Sequence, residues 1–124
     1  MIERNREGNG WVWRYGAEVL PADFFEAHAA WASDPDLADS RYVLHEMTRV
    51  VRLQLGVIDL VPWGSLFAGH HRRPEHLRVA FLVADMACRR FAERYRAHFE
   101  SAGLGWAFAT FSSQQGARRW LVEG

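Results

Sequence analysis

The feature that most limits the possible folds is the segment Leu77–Ala84, which is apolar at every position except Arg78. A strand has this composition when helices cover both faces of its sheet, as they do in parallel sheets. Tyr42–Met47 and Trp106–Phe111 are two further runs rich in strand-forming residues. Helical stretches separate the three runs, and parallel strands need such crossover connections. The pattern therefore predicts an α/β fold with a mainly parallel sheet.

An antiparallel hairpin is predicted at the N-terminus. Glu7–Gly10 is a cluster of turn residues, and it separates the short segment Ile2–Arg6 from Trp11–Tyr15, which is rich in strand formers. The hairpin precedes the first helical stretch, so the expected order is hairpin, α, β, α, β, α, β, α. No linker or internal repeat interrupts this order. We therefore expect residues 1–124 to form one domain.

Proline positions and capping residues predict where the first two helices begin. Pro21 suits the first turn of the first helix, because its missing N–H costs nothing there. The second helix is expected from about Ile58 to Gly69. Asp59 is its predicted N-cap, which places Pro62 in the tolerated first turn.

The last two helices are predicted in the same way. The third covers about Met86–Ser101, where aromatic residues recur every four positions. Asp85 stands directly before it, as an N-cap would. Ser112 and Gln115 have the spacing of a capping box and are expected to open the fourth helix.

Charge and cysteine content exclude several classes of protein. Fifteen arginines balance fifteen acidic residues, so no net field favours nucleic acid or an anionic membrane. Lysine is absent, which excludes Schiff-base catalysis. Cys88 is the single cysteine, so no disulfide forms within the chain, as suits a reducing compartment. The mixed charge of Met1–Glu7 is unlike a signal peptide, and we expect a cytoplasmic protein.

Several short motifs occur in one order along most of the chain. They are Gly16–Pro21, Asp34–Asp36, Val43–Met47, Val79–Val83, Arg94-Tyr95 and Ala117–Leu121. In this order and spacing the chain resembles the SpoIIAA-like proteins, small relatives of the STAS domain of bacterial anti-sigma-factor antagonists. The resemblance implies a SpoIIAA-like/STAS-like β-α superhelix, with a mainly parallel sheet and an N-terminal antiparallel hairpin. It also implies a protein without catalytic activity.

The chain departs from that family at two places. The second core strand of such proteins usually ends in Asp, where this chain has Glu46. True antagonists carry a phosphorylated Ser at the start of the second helix, whereas Leu53–Asp59 contains neither Ser nor Thr. We therefore do not expect a phosphorylation switch of the antagonist kind.

Two carboxylates are candidates for catalysis. Glu46 and Asp85 follow neighbouring predicted strands, and open α/β sheets place their sites at the carboxyl ends of strands. The alternative is that Asp85 caps the third helix and Glu46 bonds to backbone amides at the start of that helix, and this alternative is favoured. His70, His71 and His76 are a weak metal motif, because arginines surround them and no cysteine completes a site. No metal or cofactor is expected.

A binding surface is predicted near the same end of the sheet. A chain this small cannot bury all six tryptophans, so Trp11, Trp13 and Trp63 are expected to keep exposed area. The candidate ligand or partner surface consists of Glu46, Thr48, Asp85, Trp63, Leu66 and Phe67.

The leading hypothesis for function is a non-catalytic binding or regulatory module that acts through protein contact and forms a homodimer. A carrier of a small apolar ligand, held between the second helix and the sheet, is the alternative. An enzyme that uses the two carboxylates is the third hypothesis. An enclosed apolar cavity would favour the carrier, whereas an exposed apolar surface would favour the interaction module.

Overall fold

Strands and helices alternate along the chain in the computed structural model, which describes residues 1–123. The elements are β1 (Ile2–Glu7), β2 (Gly10–Tyr15), β3 (Glu18–Val19), α1 (Pro21–Ala32), β4 (Tyr42–Glu46), β5 (Arg52–Leu53), α2 (Val61–Gly69), β6 (Arg78–Leu82), α3 (Met86–Ser101), β7 (Ala107–Phe111) and α4 (Gln114–Val122). Short 3-10 turns cover Leu37–Asp39 and Val57–Asp59.

Five of the strands form one sheet in the order β1-β2-β4-β6-β7. β1 and β2 pair as an antiparallel hairpin, whereas β2, β4, β6 and β7 run parallel to one another. β3 and β5 form a separate two-stranded parallel sheet. The predicted α/β class, the parallel central strands and the N-terminal hairpin are therefore confirmed.

Hydrophobic clusters lie on both faces of the sheet. Val79 and Phe81 of β6 belong to the larger cluster, which contains the buried side chains of α1, α2 and α3. Ala80 and Leu82 point to the opposite face and pack with Ala117 and Leu121 of α4. The alternation explains why the sequence of β6 is apolar at consecutive positions: helices cover both of its faces.

The tryptophans are more buried than expected. Trp13 has no exposed surface and Trp63 is 3% exposed, so the prediction of exposed area is wrong for both. Trp11 alone of the three candidates is half-buried. Trp13 lies beneath α1, where its ring meets the rings of His28 and Trp31 edge-on at 4.8 and 5.7 Å. The sequence pattern of β2 shows which of its side chains share a face. It does not show that α1–α3 pack over that face and bury it.

Two of the predicted helix caps are also wrong. Helix α2 begins at Val61, and Asp59 instead closes the preceding 3-10 turn, where its carboxylate accepts the Gly56 N–H at 2.8 Å. Pro62 does lie in the first turn of α2, as predicted. Helix α4 is capped by Ser113 rather than Ser112. The Ser113 hydroxyl accepts the Gly116 N–H, whereas the predicted capping box paired Ser112 with Gln115.

Candidate functional site

The two candidate carboxylates do lie at the carboxyl edge of the sheet, but the protein's own backbone engages both. Glu46 ends β4 and accepts hydrogen bonds from the Thr48 N–H at 3.0 Å and from the Thr48 hydroxyl. Asp85 is the N-cap of α3 and accepts the Cys88 N–H at 2.8 Å. A carboxylate that accepts backbone N–H bonds is held in one orientation. The expected capping of α3 by Asp85 is therefore found, whereas Glu46 bonds to Thr48 just after its own strand rather than to the start of α3.

The three candidate residues on α2 do not share a surface. Trp63 and Phe67 lie one turn apart on the buried face of the helix, whereas Leu66 is 42% exposed. The Trp63 ring contacts Phe25 at 5.2 Å, and Phe67 packs between Trp31 and Trp106 at 5.1 and 5.5 Å. Trp63 and Phe67 therefore fill the core, and only Leu66 of this trio is available to a partner.

A group of exposed apolar side chains surrounds the start of α2, and we call it the apolar surface. It consists of Phe25 of α1, Val57 and Ile58 of the 3-10 turn, and Val61 and Leu66 of α2. α1 and α2 both pack against the 3-10 turn, which brings these elements to one region of the molecule. Ile58 is the most exposed member, at 81%. The sequence analysis missed this surface, although adjacent β-branched residues in a turn were a visible signal.

Basic side chains without an acidic partner occur at the same end of the sheet. Arg49 follows β4 and is exposed, and Arg89 and Arg90 lie in the first turns of α3. None of the three takes part in an ion pair within residues 1–123. This edge of the sheet therefore carries both the two carboxylates that are bonded to backbone and three arginines whose charges are available to a partner.

A buried pair of histidines lies beneath this edge. His28 donates from Nδ1 to the Phe24 carbonyl at 3.0 Å, and its Nε2 accepts from the Tyr95 hydroxyl at 3.0 Å. The Tyr15 hydroxyl lies 2.8 Å from Nδ1 of His45. Burial lowers the pKa of His28 to about 3, and burial together with nearby His28 lowers the pKa of His45 well below its usual value. Both imidazoles are neutral and closed to solvent, so they act as core residues.

The other candidate histidines lie at the opposite, amino-terminal edge of the sheet. His71 and His76 line an open cleft of about 510 Å³ together with Arg41 and Arg73. His70 is held elsewhere, with its Nε2 donating to the Ala32 carbonyl at 3.1 Å. Across residues 1–123, no group of three or more His, Cys, Asp or Glu side chains has the arrangement of a metal site.

The single thiol is expected to be unreactive in the folded protein. Cys88 is 1% exposed, and burial followed by the nearby Asp85 carboxylate raises its pKa to about 12. A thiol reacts as its thiolate, so both effects suppress its reaction with electrophiles. We predict that iodoacetamide labels Cys88 at least about a hundredfold more slowly in native protein than in urea at pH 8, as followed by mass spectrometry. Equal rates in the two conditions would contradict this burial.

In the part of the chain that the structure describes, no helix is both long enough and apolar enough to cross a lipid bilayer.

Comparison with known proteins supports the fold. No protein-family model matches the sequence, and no curated protein matches it either. The chain is similar to the crystal structure of an uncharacterized protein of the DUF3478 family from Shewanella loihica PV-4, which is described as having a SpoIIAA-like fold. The likeness covers 98% of this chain and 92% of that one, at a TM-score of 0.54 and 16% sequence identity. Because the structural match covers nearly the whole of both chains and the sheet has the strand order given above, this chain has a SpoIIAA-like fold.

Proposed function

We propose that this protein is a non-catalytic module that binds another protein through the apolar surface. The observation that supports this proposal is the character of the sheet's carboxyl edge. Open α/β sheets usually hold their sites at this edge. Here the carboxylates are bonded to backbone, and the exposed groups include aliphatic, aromatic and arginine side chains.

The chemistry of the edge defines the kind of partner. Exposed apolar groups such as Ile58 gain about 25 cal/mol for each Å² that a partner removes from water. The unpaired charges of Arg49 and its neighbours on α3 favour a partner that carries acidic residues around an apolar centre. The protein's net charge of zero means that this attraction is local to the edge. The proposed partner is therefore a protein with an acidic rim and an apolar centre.

The other two functions receive less support from the structure. A carrier needs Trp63 and Phe67 to line a ligand cavity, but their rings pack against other aromatic side chains. An enzyme needs a group that is free to move a proton or attack a substrate. Glu46, Asp85, the buried histidines and Cys88 are each bonded or enclosed.

Replacing Ile58 with Asp is expected to weaken binding of the partner at least about tenfold, because it places a charge in the centre of an apolar contact. Partners captured from the host by wild-type protein are identified and purified, and their dissociation constants are then measured by titration calorimetry. The matched control is Val122→Asp. Val122 is 78% exposed, but it lies on α4 on the opposite face of the sheet.

Three outcomes would oppose this proposal. The first is a purified partner that binds wild type and the Ile58→Asp variant equally well. The second is equal loss of binding with the Val122→Asp control. The third is binding of wild-type protein to vesicles of anionic phospholipid that Ile58→Asp abolishes, because the surface would then serve a membrane rather than a protein.

A further inference from the structure

Among the strands of residues 1–123, β7 lies at the edge of the sheet, and its outer side carries backbone groups that bond to no other strand. The Ala107 N–H donates to the Leu77 carbonyl at 2.9 Å, and the Phe111 carbonyl accepts the Val83 N–H at 3.0 Å. In a parallel ladder, alternate residues bond to the same neighbour. Phe108 and Thr110 therefore direct their N–H and C=O groups away from β6, towards the free edge of the sheet.

The two outer strands of the sheet differ in how they are protected. β1, at one edge, has the sequence Ile-Glu-Arg-Asn-Arg-Glu, and such charges oppose pairing with another strand. β7, at the other edge, reads Ala-Phe-Ala-Thr-Phe and contains no charged residue and no proline. An uncharged edge strand of high β-propensity readily pairs with a further strand.

The neighbouring helix leaves this edge open. α4 begins just after β7, but it crosses the sheet face towards the N-terminal hairpin. Its Arg118 bonds to Glu7 of β1 at 3.1 Å, and the Trp120 carbonyl accepts from Arg78 of β6. α4 therefore covers the face of the sheet rather than the side of β7, whose residues 108–111 are half-exposed.

We propose that the β7 strands of two copies pair in antiparallel fashion about a two-fold axis at Ala109. This register places Phe108 of each copy opposite Thr110 of the other, so that each facing pair exchanges both hydrogen bonds. Ala109 then faces itself in the closer, non-hydrogen-bonded position, where its small side chain permits the approach. The result is one continuous sheet across the dimer.

A second copy suits this edge for three reasons. The free groups at Phe108 and Thr110 are symmetric about Ala109, so the strand is complementary to itself. The pairing also sets an aromatic ring beside a β-branched side chain on the same face, a favourable cross-strand combination. β7 itself carries no charged side chain, and two copies of zero net charge do not repel each other.

The decisive test changes the residue on the proposed axis. Ala109→Lys and Ala109→Glu each place like charges opposite one another across the two-fold axis. Each variant alone is expected to dimerise at least about tenfold more weakly than wild type in analytical ultracentrifugation. An equimolar mixture of the two variants is expected to dimerise again, because each Lys then faces a Glu. Circular dichroism confirms that each variant is folded.

A second measurement uses the wild-type protein and needs no substitution. In concentrated wild-type protein, the amides of Phe108 and Thr110 should exchange with deuterium at least about tenfold more slowly than in dilute protein. Wild-type protein that is monomeric at every concentration would refute the proposal. A dimer that persists in both charge variants would also refute it, and so would a mixture that stays monomeric. Binding of an unrelated extended peptide at β7 by monomeric protein would assign the edge to a different occupant.

Discussion

Lowering the pH from about 8 to about 4.5 is expected to reduce the free energy of unfolding by about 3 kcal/mol through His28 and by a further amount through His45, because both histidines are buried in neutral form. Both His28 and His45 have folded-state pKa values below the ordinary value of 6.5. The unfolded chain therefore binds more protons than the folded protein once the pH falls below 6.5. Their contribution to stability is complete above that pH and is lost as the pH falls towards the folded pKa, which for His28 is about 3.

The size of the effect follows from the number of groups. Each neutral histidine contributes about 1.4 kcal/mol per pH unit in this range, so two contribute about 2.7 kcal/mol per unit. Urea denaturation at a series of pH values measures the slope directly. Most carboxylates titrate near the lower end of this range or below it, so they add little above about pH 5.

A double variant separates the histidines from other causes of acid sensitivity. His28→Phe combined with Tyr95→Phe removes one titrating group together with its hydrogen-bond partner, which leaves no buried polar atom unpaired at that contact. The slope is then expected to fall to about 1.4 kcal/mol per pH unit. A double variant that keeps the full wild-type slope would show that His28 does not remain neutral in the folded protein.

The second large effect is expected from Gly10→Ala, which should destabilise the protein by about 3 kcal/mol. Gly10 pairs with Tyr42 on the neighbouring strand, and a Cβ at this position would approach the Tyr42 ring closer than 3.0 Å. The ring cannot simply move away, because the Tyr42 hydroxyl donates to Glu7 at 3.0 Å and Arg118 holds Glu7 in turn. Thermal and urea denaturation measure the loss.

Two comparisons make the Gly10 prediction specific. Gly56→Ala is the matched control, since a Cβ there meets nothing within 4 Å and the φ angle is −130°. It is expected to change stability by less than about 1 kcal/mol. In a Tyr42→Ala background, Gly10→Ala should also cost less than about 1 kcal/mol, because the clashing ring is gone. An equal cost with and without the Tyr42 ring would rule out this steric explanation.

The sequence predicted those parts of the fold that depend on local pattern. The apolar run Leu77–Ala84 correctly indicated a strand covered on both faces, and Asp85 correctly indicated the start of α3. The sequence did not identify the N-cap residue of a helix where two adjacent residues were chemically equivalent. Ser112 and Ser113 can each cap a helix, and only the backbone conformation selects the second. Such a choice has no signal in the residue types themselves.

Long-range contacts explain what the sequence analysis missed at the site. The buried partner of His28 is Tyr95, which is 67 residues away in the sequence, and nothing local links the two. Trp13 was expected to keep exposed area because the chain is small and has six tryptophans, and strand periodicity does not show which face the helices cover. The apolar surface was missed because it joins α1 to α2 and the preceding 3-10 turn, and only the folded chain brings them together.

The contact between α4 and the N-terminal hairpin has a consequence for biosynthesis. Glu7 and Arg118 are 111 residues apart, so the hairpin can contact α4 only after the residues up to Arg118 have been translated. Until then the apolar groups beneath α4, such as Leu44 and Ala80, face water on a sheet that is otherwise complete. A nascent chain on the ribosome would therefore expose this apolar face until residues 114–122 have emerged and packed onto the sheet. A chaperone that shields nascent chains would act during this interval.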